Sequence, residues 1–302
     1  MSDDPTPARS ADPHDSPTGT AGAPPLLEFR DVHQIFRTGK EDVHAVKGAS
    51  LSVGAGEVLC LVGQSGSGKS TLAKIGAGLH RPTSGKVLFE GRDIYARENK
   101  KSWKSFRRGV QYVHQDPYAS LNPIQTVFSI LSAPLLKHRL VRGRKEAEAR
   151  IAELLRQVDL TPPGTYMDKF PHQMSGGQRQ RVAVARALTL SPKLILADES
   201  TSMLDVSLRM GLLRMLTRLR TELGVGFLFI THDLAMAKFF GEEGQIAVMR
   251  KGEIVEFGPT LEVIADPQHE YTQALLEAVP EADPDLARRK RALRLGRVEE
   301  VA

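Results

Sequence analysis

Cysteine is almost missing from this chain: Cys60 is the single one among 302 residues. One thiol excludes an intramolecular disulfide, a clustered-thiolate zinc site and a four-cysteine iron–sulfur cluster. A reducing, cytoplasmic setting is expected. Long apolar runs are missing too. Stretches such as Val58 to Val62 and Phe227 to Ile230 are five and four residues long, whereas a helix spanning a bilayer needs roughly 20. The chain is therefore not expected to cross a membrane by itself. Strong charge imbalance is also lacking, because 41 Lys and Arg face 36 Asp and Glu, a net +5. Spread over a large surface, that excess gives no reason to expect nucleic acid as a partner. Nor does the chain open on a basic segment followed by an apolar stretch of about 7–15 residues, so export is not expected.

What is present is ordinary globular composition, 41% hydrophobic and 25% charged, with enough length to bury one large core or two modest ones. Residues 1–25 hold six of the eighteen prolines and four aspartates, which predicts a disordered tail. From Leu26 the pattern turns to strand-like runs at 27–32 and 48–53, then to 57–62, which is apolar on both faces. A two-sided apolar strand predicts a central parallel one. Residues 63–68 follow as a glycine loop and 69–79 as a helix, giving a strand, loop, helix unit. Between about 116 and 188 the character is helical and charged; Ile151, Leu154, Leu155 and Val158 fall on one helical face. Strand character returns at 194–197 and 226–230, then in a hairpin around Lys251-Gly252. The expected fold is α/β, with a helical segment inserted into the core. The last residues form a basic, partly amphipathic tail, either a solvated helix or a surface for a partner or membrane.

Gly63-Gln64-Ser65-Gly66-Ser67-Gly68-Lys69-Ser70 fits G-x-x-x-x-G-K-[ST], a phosphate loop. Its place between a buried strand and a helix start converges backbone N–H groups and the positive helix end on an anion. Lys69 can reach the β and γ phosphates of a nucleotide, and the Ser70 hydroxyl can ligate Mg²⁺. Hydrolysis also needs a second carboxylate for the metal and a group that orients water. The strand 194–197 ends at Asp198-Glu199. Asp198 would hold Mg²⁺ through water, and Glu199 would take a proton from the attacking water. Taken alone, two acids at a strand end are better explained by a capped turn; the phosphate loop upstream is what favours chemistry.

Met174-Ser175-Gly176-Gly177-Gln178-Arg179-Gln180-Arg181 resembles the signature of ABC-type ATPases. The resemblance implies a RecA-like phosphate-loop core with an inserted helical subdomain and a short antiparallel β portion. It also implies two cassettes facing head to tail, so that Ser175, Gly176, Gly177 and Gln178 meet ATP held by the partner's phosphate loop. On the same resemblance Gly63, Ser65, Gly66, Ser67, Gly68, Lys69, Ser70 and Thr71 cradle the phosphates. Phe36 matches the aromatic that stacks on adenine, and Gln115 the glutamine that senses Mg²⁺ and water. Asp205 matches the acid of a loop crossing the dimer interface, and His232 the histidine that touches the γ phosphate. The cassette pattern covers residues 27 to about 265.

Three strings, "QDPYASLNP", "DESTSMLDVSLR" and "DPQHEYTQALLEAVPEADP", look like the ATPases of oligopeptide and dipeptide importers, a group that also serves nickel. The resemblance then implies domains at 26–265, with the helical subdomain at about 116–188, and a carboxy-terminal extension at 266–302. It implies ATP and Mg²⁺, two transmembrane permease subunits, a second ATPase that is either a sister chain or a copy, an extracytoplasmic solute-binding protein, and a peripheral place on the cytoplasmic face of the membrane. The competing expectation is a soluble ABC-type ATPase of a non-transport complex, of the phosphonate-breakdown or DNA-repair kind. Ser200, Met203, His114 and Glu270 stand where the group usually has proline, alanine, phenylalanine and proline. None of the four removes a catalytic group. The transported solute is not legible in this chain.

Overall fold

The computed structural model describes residues 24–39, 41–96, 100–199 and 206–278. Asp205, Ser200, Met203, residues 1–23 of the tail and everything from 279 onward lie outside the described residues.

The chain begins with β1 (Leu27–Thr38) and β2 (Glu41–Val53), an antiparallel pair, then the central strand β3 (Val58–Val62) and α1 (Lys69–Gly76). Next come β4 (Ser84–Phe89), β5 (Arg92–Asp93), α2 (Lys100–Gly109) and β6 (Val110–Val113). A run of helices follows: α3 (Pro117–Ser120), α4 (Val127–Lys137), α5 (Arg144–Gln157), α6 (Gly164–Met167) and α7 (Gly176–Leu188). Strand and helix then alternate through β7 (Leu194–Asp198), α8 (Val206–Leu223), β8 (Gly226–Thr231), α9 (Leu234–Phe240) and β9 (Gln245–Arg250). The described chain closes with β10 (Glu253–Pro259), α10 (Thr260–Ala265) and α11 (Glu270–Glu277).

Two sheets result. One has the order β2-β1-β4-β5 and is antiparallel; the other runs β10-β9-β3-β8-β7-β6 and is parallel except for its β10 edge. In β3 all five residues are buried, and their alternation divides them between two cores. Val58, Cys60 and Val62 face the core under α7, α8 and α9, whereas Leu59 and Leu61 face the core shared with α1 and the antiparallel sheet. Ile195 and Ala197 of β7, and Phe227 and Phe229 of β8, join the first; Leu194, Leu196, Leu228 and Ile230 join the second. A strand buried on both faces needs continuous apolar residues, and that is why these runs are unbroken. Truncating Leu61, fully buried, to alanine would cost about 2–5 kcal/mol. Cys60 is buried in the same strand, and burial pushes its thiol pKa up, so it behaves as a small apolar filler.

Three elements differ in extent from the sequence reading, and for two of them the backbone shows the cause. β1 runs to Thr38 rather than stopping at 32, because register shifts, with Asp31 at φ +47, let the strand bend and continue. α1 ends at Gly76 rather than 79: Gly78 at φ +68 closes it, and the Ala77 and Gly78 N–H groups turn back to the Ala73 and Ile75 carbonyls. β2 starts at Glu41, seven residues before the expected 48. Elsewhere the periodicity holds. α5 buries Ala147, Ile151, Leu154 and Leu155 on one face, and the Lys251-Gly252 turn, with φ +49 and +94, joins β9 to β10.

Candidate nucleotide site

The loop after β3 fits between its neighbours because two of its three glycines leave out a Cβ for which there is no room. At Gly63 an added Cβ would lie 2.1 Å from the Met249 carbonyl, and at Gly68, φ +105, 2.1 Å from the Ala45 carbonyl. Neighbouring strands therefore press the loop from both sides, and only glycine fits. The turn of the β9–β10 hairpin supports it further, since Gly252 N–H donates to Ser67 O at 2.9 Å. Inside the loop, Lys69 Nζ donates to Gly63 O at 2.8 Å, to Gln64 O at 2.9 Å and to Ser67 Oγ at 3.4 Å. Burial lowers the pKa of this ammonium, while Glu199 and Asp198 oppose the shift.

The register of β7 brings the acids to the loop. Ser70 Oγ, on the first turn of α1, donates to Asp198 Oδ1 at 2.8 Å. Tyr112 Oη donates to Asp198 Oδ2 at 2.5 Å. Tyr112 pairs with Leu196 across the parallel ladder, so Asp198 lies two residues further along the same face. Burial, reinforced by the Asp198 charge, raises the Tyr112 pKa, which keeps its hydroxyl a donor. Glu199 leaves the strand at φ +40, with its N–H on the Ile230 carbonyl at 3.0 Å. Gln115 Nε2 donates to Glu199 Oε2 at 2.8 Å, and His232 Nδ1 stands 3.5 Å from Glu199 Oε1. The latter is an ion-pair separation and too long for a good hydrogen bond.

These groups open on a cavity of about 780 Å³, lined by Ser65, Gly66, Gly68, Lys69, Ser70, Thr71, Gln115 and Glu199. That volume suits a ligand of nucleotide size. Val43, His44 and Ala45 of β2 form its opposite wall, and Lys47 and Lys251 add positive charge. Phe36 does not line it. That ring is 37% exposed, sits across the β1–β2 ladder from Val43, and meets His80 edge-on at 6.2 Å. Gly63, Ser67, Asp198 and His232 stand just behind or beside the lining. The donors beside Lys69 are oxygens: Ser70 Oγ, the Asp198 carboxylate and the Gln115 side-chain carbonyl. An all-oxygen set fits Mg²⁺.

Ser175, Gly176, Gly177 and Gln178 are elsewhere, at the start of α7. Ser175 is its N-cap: the hydroxyl accepts from Gln178 N–H at 3.3 Å, and Gln178 Oε1 accepts from Ser175 N–H at 3.0 Å. Ser175 is exposed and no part of the turn lines the cavity. Among the described residues, the structure thus brings the phosphate loop, Gln115, Asp198, Glu199 and His232 together and leaves the α7 turn apart. Tyr112, Val43 and His44 were not foreseen. Only Tyr112 carries a signal, a polar ring on a strand three residues before Gln115.

A family model described as ABC transporter matches residues 46–202, a span that begins in the β2 wall and ends past Glu199. The chain belongs to the ABC transporter family. It is an ABC ATPase, binding and hydrolysing ATP. A second model, the oligopeptide/dipeptide transporter C-terminal region, matches residues 255–301. Among curated proteins the chain is similar to the oligopeptide transport ATP-binding protein OppF of Bacillus subtilis, 42% identical over 88% of this chain and 86% of that one. It is 41% identical to AmiF of Streptococcus pneumoniae, also an oligopeptide transport ATP-binding protein, over 88% and 85% of the two chains. The glutathione import ATP-binding protein GsiA of Escherichia coli K12 is 42% identical over 95% of this chain, which spans 46% of that longer protein. Among solved structures, the ABC cassette MJ0796, a dimer bound to ADP and phosphate after hydrolysis, superposes with a TM-score of 0.69 at 31% identity, over 78% of this chain and 99% of that one. No helix among the described residues of this ABC ATPase is long and apolar enough to cross a membrane.

Proposed function

We propose that this ABC ATPase energises uptake of oligopeptides or dipeptides through a permease complex, working from the cytoplasmic face of the membrane. Two transmembrane permease subunits form the path, an extracytoplasmic binding protein delivers the solute, and a second cassette, a sister or a copy, faces this one head to tail. Residues 26–265 are the ATPase domain, with the helical subdomain at about 116–188 inserted; 266–302 are the extension. The oligopeptide/dipeptide C-terminal match and the transport names of the relatives support this reading over the non-transport one.

The observation that carries the chemistry is the pair of contacts Ser70–Asp198 and Gln115–Glu199, at 2.8 Å each, beside one phosphate loop. Loop N–H groups from Ser65 to Thr71 and the Lys69 ammonium receive the phosphates of ATP. Ser70, Asp198 and Gln115 would hold Mg²⁺, which when bound neutralises phosphate charge. Glu199 accepts a proton as water attacks the terminal phosphorus, the bond to the ADP oxygen breaks, and ADP and phosphate leave. Gln115 fixes the Glu199 carboxylate for that step, and His232 stands beside it toward the γ phosphate. Phe36 would stack on adenine. Ser175, Gly176, Gly177 and Gln178 of the opposite cassette would close the site, with Asp205 at the interface.

The test is copurification and uptake by the whole complex. Two hydrophobic permease subunits should copurify, and labelled oligopeptide should accumulate in vesicles only with ATP and only with an intact Lys69, Lys69→Ala abolishing uptake. Soluble partners alone, or peptide uptake indifferent to Lys69→Ala, overturns the proposal.

A further inference from the structure

The phosphate loop is held from a distant part of the chain. Gln64 N–H, the first donor after Gly63, bonds to Tyr271 Oη at 3.0 Å across 207 positions of sequence. Tyr271 is the second residue of α11 in the C-terminal region, is 8% exposed, and belongs to the core under α7 and α9. The backbone that carries it is tied at the helix cap and on the approach to it, and the ring is covered by a cation. His269 Nδ1 accepts the Tyr271 N–H at 3.0 Å and so caps the helix. Both oxygens of Glu256, on β10, accept from the approach to that cap, Gln268 N–H at 2.7 Å and His269 N–H at 3.2 Å. The Arg250 guanidinium lies over the ring, 5.0 Å from its centre, and pairs with Glu270 at 3.6 Å.

Gln64 works on both sides. Its N–H is held by Tyr271, while its carbonyl accepts from Lys69 Nζ at 2.9 Å and from Ser67 N–H at 3.2 Å. The hydroxyl of Tyr271 therefore sets a residue that links the C-terminal region to the phosphate-binding ammonium.

We propose that Tyr271 is a positioning residue for the phosphate loop, acting through Gln64 on Lys69, so that the C-terminal region takes part in nucleotide binding. The proposal rests on the reading of this loop as the ATP site. Preorganisation predicts where the loss falls: a loop less firmly set must be ordered by the ligand, which weakens capture more than it slows chemistry.

Tyr271→Phe keeps the ring and removes the hydroxyl. In the full chain, the Kd for a fluorescent ATP analogue should rise roughly fivefold, the loss expected for one net hydrogen bond. In the assembled complex the KM for ATP should rise with it while kcat changes less than twofold. Hydrogen exchange at the Gln64 amide should speed up about tenfold, because one protecting partner is gone. Arg250→Met, which leaves the hydroxyl and loosens the ring, should weaken analogue binding in the same direction by less than threefold. Faster Gln64 exchange with unchanged analogue affinity would reduce Tyr271 to a structural prop and overturn the proposal, as would a fall in kcat at constant KM. Lys69→Ala separates the two levels: if that variant still binds the analogue normally, the ATP-site reading fails, whatever Tyr271→Phe does.

Discussion

The two glycine-bearing turns that open α1 and α7 differ in how far one chain completes them. The loop 63–70 is pressed between strands, its lysine has three oxygen partners, and two acids and a glutamine stand beside it. The turn 175–178 satisfies only itself, through a reciprocal Ser175–Gln178 cap, and faces outward. Both present helix N–H groups and the positive end of a helix, so both suit phosphate. One forms a pocket wall; the other does not line that pocket, which is what the proposed head-to-tail pairing of two cassettes requires.

The sharpest way to break that comparison is Glu199→Gln. Turnover in the assembled complex should fall by roughly 10² to 10⁴ while ATP affinity stays within about threefold, since the proton acceptor is lost and the cradle kept. Undiminished phosphate release would take Glu199 out of its role. Ser175→Ala probes the other half. Turnover should drop about 10²-fold, as for removal of one donor to a developing anion, yet the isolated chain should bind ATP as before. A matching loss of ATP binding in the isolated chain would show that the turn serves its own pocket, and the head-to-tail proposal would end.

Smaller effects sharpen the boundary. Tyr112→Phe strips a donor from the buried Asp198 Oδ2 and should lower stability by about 1–3 kcal/mol in urea unfolding; an unchanged midpoint would mean that water replaces the hydroxyl. Smallest is Asp159→Asn. Asp159 receives Arg181 of α7 at 2.7 Å and Arg218 of α8 at 2.6 Å, tying the helix that carries the outward turn to the core. Desolvation would raise the carboxyl pKa, but the two guanidiniums outweigh it and the net shift is downward. Below the ordinary carboxyl range the unfolded chain then binds the proton more readily, so this stabilisation is complete above about pH 4 and is lost as pH falls through the depressed folded pKa. Asp159→Asn should cost about 1 kcal/mol or less at pH 7, the carboxylate being half exposed. The gap should close in thermal melts toward pH 3; a gap that persists there would deny the carboxylate its part.

Much of this was readable before any geometry. Apolar runs at 58–62, 194–197 and 226–230 announced the parallel strands because both faces are buried, and the glycine-lysine string announced an anion site because backbone must come close to it. Contacts set by tertiary register were not readable. Tyr112 meets Asp198 only because β6 pairs with β7 in one register, and Tyr271 reaches Gln64 only because α11 folds back over the core. Phe36, to which the family pattern points, stands across the β1–β2 ladder from Val43 of the cavity wall, a pairing that the sequence does not reveal. β1 was under-read because a bulge hides its period.

The three oxygens around the Lys69 ammonium carry one last implication. A cation already solvated by its own loop keeps its place between one nucleotide and the next. The site then waits set rather than loose, and an arriving triphosphate does not have to order it. For a motor that must cycle, that internal substitute matters as much as tightness.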